Sequence, residues 1–285
     1  MKRIHLGIST CPNDTFAFHG ILNKCVDFRG LEFAIELLDV EELNRRLLAG
    51  DFDVAKASFH AALYLTAELG VLPVGSALGF GVGPILLGAR PETRPGDRLM
   101  SLAGGELPHV LCPGKHTTAT LLYRLFHAGE GREKQVVFSD IMPALREKKA
   151  DFGVCIHEGR FTWKDYGLSF VEDLGSTWEA NTSSPLPLGG ILVRHRLGEE
   201  CMATLSAVIR DSLSYAEGHR EEVVSTMRLY AQELSEEVMF QHVDLYVNEW
   251  THDLGDIGRS ALVTLHERAA AIGLLPPAVP RLTVY

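Results

Sequence analysis

The stretch Asp51–Ser58, DFDVAKAS, recurs in outline as Asp151–Glu158, DFGVCIHE. Each copy follows a helix-like run, RRLLAG before the first and ALREKKA before the second. Each reads as a short apolar strand that ends in polar groups: Lys56 and Ser58 in one, His157 and Glu158 in the other. Open α/β sheets bind ligands at the carboxyl ends of their strands. Two equivalent strand ends, one per half, predict an α/β chain of two lobes facing a shared cleft. Helix-to-strand junctions of this kind also arise by chance, so the repeat needs support from the rest of the chain.

The chain has 285 residues, enough for one large or two medium domains. Hydrophobic residues at 46% and charged residues at 22% are ordinary for a globular protein. The formal net charge is −10, with no basic block, which argues against nucleic acid or an anionic membrane as the main partner. Five cysteines (Cys11, Cys25, Cys112, Cys155, Cys201) are odd in number, scattered and without a CxxC pair. They read as reduced thiols of a cytoplasmic protein, not as a disulfide framework or a zinc knuckle. After its two basic residues the segment MKRIHLGISTCPND enters an alternating strand, so no secretory signal is expected. No apolar run approaches bilayer length.

Residues Ile4–Ser9 read as the first strand and Thr10–Asn13 as a turn. A helix is expected from about Asp14, with Asn13 and Asp14 as N-cap candidates. Leu31–Leu38 alternates apolar with charged residues, a half-buried strand. Val40–Leu48 reads as a helix ended by Gly50, Phe52–Ala57 as a strand, and Phe59–Leu69 as a helix of small residues. GFGVGP at Gly79–Pro84 contains GxGxG, but it precedes a strand (Ile85–Leu87) instead of opening a helix. It therefore fails as a dinucleotide fingerprint and reads as close strand packing at the first crossing between lobes.

Pro, Arg and Gly at Pro91–Asp97 mark a boundary or exposed loop. A second α/β series follows: strand His109–Cys112, helix Thr117–Phe126, strand Gln135–Phe138, helix Ile141–Lys148 and strand Phe152–Ile156. NTSSPLPLGG at Asn181–Gly190 reads as the return crossing. In Ser235–Trp250, Met239, Val243, Tyr246, Val247 and Trp250 form one apolar stripe of a helix, and Asp256–Gly273 repeats the pattern before Pro276–Pro277. The expected lobes are thus 1–90 with 191–285, and 91–190. A doubly crossed chain is what a hinged two-lobe binding fold requires.

Three strand-to-helix turns carry polar residues at the helix start: Ser9–Asp14, Ser58–His60 and Lys115–Thr118. Unpaired N–H groups and the helix dipole make such ends anion sites, and Ser58, Thr117 and Thr118 add hydroxyls that suit a carboxylate. Simple N-capping uses the same residue types. His157 is the natural general base, beside Glu158, which could orient it, and Arg160. A histidine satisfied structurally at a strand terminus is the plain alternative, since the chain has 12 histidines. Regular pleating would put Cys155 on the same face as His157, which makes a Cys–His pair conceivable. There is no GxSxG elbow, no HExxH and no second histidine at metal-ligand spacing to His157, so no metal is expected.

STCPNDTFAF, DVAKASFHA, GFGVGPILL, PGKHTTATLL and IHEGRFTW together resemble the 1,4-dihydroxy-6-naphthoate synthases of the futalosine route to menaquinone. The distinctive motifs span roughly residues 1–195; the helical tail is compatible with them. The resemblance implies a fold like that of type 2 periplasmic binding proteins, with a helical C-terminal segment. It implies conversion of cyclic dehypoxanthine futalosine to 1,4-dihydroxy-6-naphthoate and dihydroxyacetone without a cofactor. The family's base falls on His157, its K-x-S element on Lys56, Ala57 and Ser58, and its TT pair on Thr117 and Thr118. Chorismate dehydratase of the same pathway looks similar in fold. The rival of another class is a non-catalytic binding protein for small anionic solutes, the usual occupation of this fold. The expected partner is a small-molecule carboxylate substrate; a homodimer is compatible with the sequence.

Overall fold

Residues 2–90, 99, 106–231, 235–276 and 278–285 are described by the computed structural model of the chain. They fall into two units, Met1–Gly79 with Pro187–Tyr285, and Phe80–Leu186. The chain passes between them after Gly79 and after Leu186. Both crossings lie earlier than the expected boundaries after residues 90 and 190, because Ile85–Gly88 already belongs to the second sheet and Leu186–Arg194 already belongs to the first. Pro91–Asp97 and Pro277 lie outside the described residues.

The first unit opens with β1 (Lys2–Ser9), α1 (Pro12–Ala17), α2 (His19–Leu22), β2 (Leu31–Leu38), α3 (Val40–Ala49), β3 (Val54–Ser58), α4 (Phe59–Ala62), β4 (Leu69–Val71) and β5 (Ala77–Gly79). The second contains β6 (Ile85–Gly88), β7 (His109–Cys112), α5 (Thr118–Phe126), β8 (Arg132–Gln135), α6 (Phe138–Arg146), β9 (Phe152–Cys155), α7 (Gly159–Thr162), β10 (Ser169–Asp173) and α8 (Leu174–Thr182). β11 (Leu186–Arg194) brings the chain back. α9 (Glu199–Gly218), α10 (Arg220–Tyr230), α11 (Glu236–Tyr246), α12 (Glu249–His252), α13 (Gly255–Ala271) and β12 (Thr283–Val284) complete the first unit.

Among the described residues, the first sheet runs β12-β4-β11-β3-β1-β2, with β5 also on β11. The second runs β10-β6-β9-β7-β8. The sequence repeat has a topological counterpart. In each unit a β-α-β-α-β series places its third strand beside its first, β3 parallel to β1 and β9 parallel to β7. An antiparallel strand then covers the far side of each third strand, β11 on β3 and β6 on β9.

Local chemistry explains these elements. α3 starts where the Asp39 carboxylate accepts from the Glu41 N–H at 2.9 Å. It stops at Gly50, whose φ of 93° is the left-handed conformation that a residue without Cβ adopts readily. β1 buries Ile4, Leu6 and Ile8 against Phe16, Phe18, Val54, Ile191 and the inner faces of α9 to α11. A separate core in the second unit joins Ile85, Leu87, Leu111, Ile141 and Leu145.

Four local expectations are corrected. α1 begins at Pro12, so Asn13 and Asp14 lie inside the helix and Cys11 occupies the N-cap position. Proline at the first helical position is preset for helix and needs no donor, which moves the start forward. The helix expected over Phe59–Leu69 ends at Ala62, and Leu69–Val71 pairs with β11 instead. The strand expected at Gln135–Phe138 is Arg132–Gln135, paired with β7, while Phe138 already opens α6. The stripe over Ser235–Trp250 is divided between α11 and α12, where Asn248 and Thr251 form a reciprocal capping box. None of the described helices is long and apolar enough to cross a membrane.

Candidate active site

The candidate residues stand at the carboxyl ends of parallel strands within each unit. In the first unit these are β1 and β3. The Lys56 ammonium, on β3, lies 2.7 Å from Asp14 Oδ1 and donates to the Gly75 carbonyl at 2.9 Å. Lys56 and Asp14 are both buried. Asp14 Oδ1 also accepts from the Asn13 amide at 3.0 Å. Lys56 is therefore a compensated cation. Burying it without Asp14 would leave a charge several kcal/mol out of balance.

Ala57 and Ser58 follow on the same buried strand. The Ser58 hydroxyl makes no capping bond to α4. It accepts instead from Asn44 Nδ2 at 3.1 Å, while Ser58 N–H donates to Asn44 Oδ1 at 2.9 Å. Asn44 is fully buried on α3 between Leu43 and Leu47. Sequence reasoning missed it. The available signal was an amide on the apolar side of an amphipathic helix, where only a buried partner would tolerate it.

In the second unit, Thr117 is the N-cap of α5. Its hydroxyl donates to the Gly114 carbonyl at 2.9 Å and accepts from Thr120 N–H at 3.2 Å. Thr118 is the first helical residue, also buried. The capping reading thus holds for Thr117, and the positive end of a nine-residue helix stands at the same place.

His157 lies two residues beyond the end of β9, with φ 53°. That left-handed conformation is uncommon for a side chain with Cβ, and such residues cluster at functional sites. The imidazole packs edge-to-face with Phe138, the first residue of α6, with centroids 4.8 Å apart and planes at 72°. Past it the chain turns at once into α7. Arg160 on α7 donates to the Gly83 carbonyl at 2.7 Å and pairs with Asp173 Oδ2 at 2.6 Å. This is a salt bridge within the second unit.

The conceivable Cys155–His157 pair fails. β9 ends at Cys155, so the regular pleat that would align the two does not continue. The Cys155 thiol is buried, and burial first, then the Glu158 charge, push its pKa far up. A protonated buried thiol is a poor nucleophile. Cys112 is likewise pushed up to about 12, chiefly by burial. Among the described residues no cluster of His, Cys, Asp and Glu could hold a metal ion.

Known proteins share this sequence and fold. The family described as menaquinone biosynthesis matches residues 4–271. A 1,4-dihydroxy-6-naphthoate synthase of Thermus thermophilus is 40% identical over 278 residues, 97% of each chain. The synthase of Streptomyces coelicolor is 37% identical over 282 residues, 97% of this chain and 96% of that one. A crystal structure of a protein from Archaeoglobus fulgidus superposes with a TM-score of 0.86 at 29% identity, covering 96% of this chain and 98% of the other. The alkanesulfonate-binding protein of Xanthomonas axonopodis shares the fold at 13% identity and a TM-score of 0.71, covering 100% of this chain and 98% of its own. The two-unit α/β architecture is that of type 2 periplasmic binding proteins, and the chain belongs to the menaquinone biosynthesis family.

Proposed function

We propose that this protein is a carbon–carbon lyase that converts cyclic dehypoxanthine futalosine to 1,4-dihydroxy-6-naphthoate and dihydroxyacetone, with His157 as general base. Near full-length identity of 37–40% to two proteins named as that synthase carries the reading of the reaction. The left-handed backbone of His157 at the carboxyl end of β9, with its ring against Phe138, supports the reading of the base.

The substrate carries a carboxylate. The N-terminus of α5 with Thr117 and Thr118, and the hydroxyl of Ser58 at the end of Lys56-Ala57-Ser58, are the groups proposed to anchor it. Lys56 enters with its charge balanced by Asp14, so in this reading it favours a polar group more than a second full negative charge. Neutral imidazole of His157 takes a proton from the sugar-derived ring, and the electron pair left behind starts C–C cleavage. A positioned base of this kind contributes about 10²–10⁴-fold to rate. Exclusion of water would matter further where an intermediate is unstable.

The direct test is incubation of purified protein with cyclic dehypoxanthine futalosine, without added metal or nucleotide, following 1,4-dihydroxy-6-naphthoate by chromatography. Product formation is expected. Its absence from folded protein would sink the assignment and turn attention to the dehydratase and solute-binding readings. His157→Ala is expected to lose about 10²–10⁴-fold in kcat while binding product normally. Near-normal turnover in that variant would remove His157 from the chemistry.

A further inference from the structure

We infer that Arg160 and Asp173 are positioning residues that hold the His157 turn in its left-handed conformation. The inference rests on the reading of His157 as the base, and it concerns how a residue with a Cβ is kept where its backbone is costly.

A non-glycine residue in this region is strained, so the surrounding structure must over-determine it. The turn has local backbone bonds, the shortest from Phe161 N–H to the Glu158 carbonyl at 2.8 Å. Gly159 N–H reaches the Ile156 carbonyl at 3.1 Å and Arg160 N–H reaches the His157 carbonyl at 3.3 Å. α7 has only four residues, too short to be stable by itself. A long-range attachment of the turn is the Arg160 guanidinium. It spans two rigid points, the Gly83 carbonyl at 2.7 Å and Asp173 Oδ2 at 2.6 Å.

Both points are fixed independently of Arg160. Asp173 Oδ1 caps α8 by accepting from Gly175 N–H at 2.9 Å and Ser176 N–H at 3.1 Å. In the sheet, Asp173 pairs with Ile85 and Ile85 pairs with Cys155, so the anchor sits level with the end of β9. Gly83 packs on Gly175 so closely that a Cβ on Gly83 would lie 2.2 Å from the Gly175 Cα. Arg160 thus ties the turn after β9 to a point that cannot give. Its rigid planar fork holds two acceptors in a fixed geometry, whereas an ammonium on a flexible stem fixes their directions less tightly. On the other side, Phe138 closes against the imidazole.

The experiment compares Arg160→Met, Arg160→Lys and Asp173→Asn with wild type. Asparagine keeps an acceptor for the cap of α8 while removing the charge that Arg160 grips. Three readouts are taken: kcat and KM on cyclic dehypoxanthine futalosine, affinity for product, and the imidazole Cε1–H resonance assigned as the one missing from His157→Ala. Arg160→Met and Asp173→Asn are expected to lose about 10–100-fold in kcat, since a misplacement near 1 Å costs about 10²-fold. KM and product affinity should stay within about twofold. The His157 resonance should move, because its ring leaves the T-shaped contact with Phe138. Arg160→Lys should recover part of kcat and part of the shift.

An unmoved His157 resonance, or full kcat in Asp173→Asn, overturns the inference. So does a rise in KM with kcat intact, which would make Arg160 a substrate contact. Where Arg160→Met melts too early to assay, Asp173→Asn and Arg160→Lys decide. Normal turnover of His157→Ala would defeat the base assignment separately, while the resonance would still report whether Arg160 holds the turn.

Discussion

Asp14→Asn should destabilise the first unit sharply although it changes no heavy-atom count. The carboxylate oxygen lies 2.7 Å from the Lys56 ammonium, a separation at which opposite unit charges attract by about 6 kcal/mol at an effective dielectric near 20. Most of that attraction is spent on removing both ions from water, because the side chains are only 5% and 8% exposed. The net loss when one partner of a buried pair is neutralised is about 3–5 kcal/mol. The asparagine oxygen can still accept from Lys56, and the Gly75 carbonyl remains in place, so the low end, about 3 kcal/mol, is expected. At about 2–4 °C per kcal/mol, the melting transition of this unit should fall by about 6–12 °C in calorimetry. The double variant Asp14→Asn with Lys56→Met, which removes both charges, should recover most of the loss. An Asp14→Asn protein melting within about 2 °C of wild type would refute the reasoning. So would a double variant as unstable as the sum of its singles.

Three further outcomes follow from the geometry. Asn44→Ala should cost about 1–3 kcal/mol in urea unfolding, because Ser58 loses both bonds to the Asn44 amide in a buried site; a loss below about 0.5 kcal/mol would contradict this. Gly83→Ala should cost at least about 1–3 kcal/mol by forcing α8 away from β6, since the added carbon would meet Gly175 Cα at 2.2 Å and Gly175 N at 2.5 Å; an unchanged melting temperature would count against it. His127 should make the second unit most stable at mildly acidic pH. Burial alone lowers its pKa, but hydrogen bonds to Glu172 and Glu130 outweigh burial and raise it. Its contribution is therefore complete below the ordinary value of 6.5 and is lost as pH climbs through the raised one. Glu172 is pushed up by burial and pulled further down by His127 and Thr177, so its share is complete above 4.5 and fades as pH falls. Melting temperature against pH should peak between these limits and flatten on the neutral side in His127→Gln; an unaltered profile in that variant would remove His127 as the cause.

Much of the fold was legible because its signals are local. The alternation of Leu31–Leu38 gave β2 with its observed bounds, and Gly50 marked the end of α3. The repeat located both third strands because two units with the same strand order reuse the same helix-to-strand junction. What failed depended on partners distant in sequence or on competing local signals. Asn13 and Asp14 look like caps until Pro12 starts the helix before them. The buried partner of Lys56 was not legible either, because Asp14 reaches it from another element. The stripe from Met239 to Trp250 keeps its period across a break, because α12 is re-aimed by the Asn248 cap and hydrophobic spacing carries no mark of that turn. His157 was visible as a strand-end histidine, but its left-handed backbone was not, since no glycine stands there to announce it.

The placement of β11 has a consequence for biosynthesis. The second unit draws all its described strands from one continuous stretch, so its sheet can close once β10 has left the ribosome. The first unit cannot close then. β3 keeps a bare edge until β11 arrives, and β4 likewise waits for β11 on one side, and for β12 at Thr283–Val284 on the other. Translation therefore delivers the middle of the chain as the earliest native sheet. The amino-terminal segment waits, with the backbone donors and acceptors of a buried strand open to other chains. Slow or truncated synthesis after residue 186 is the condition under which this protein should be most prone to aggregate.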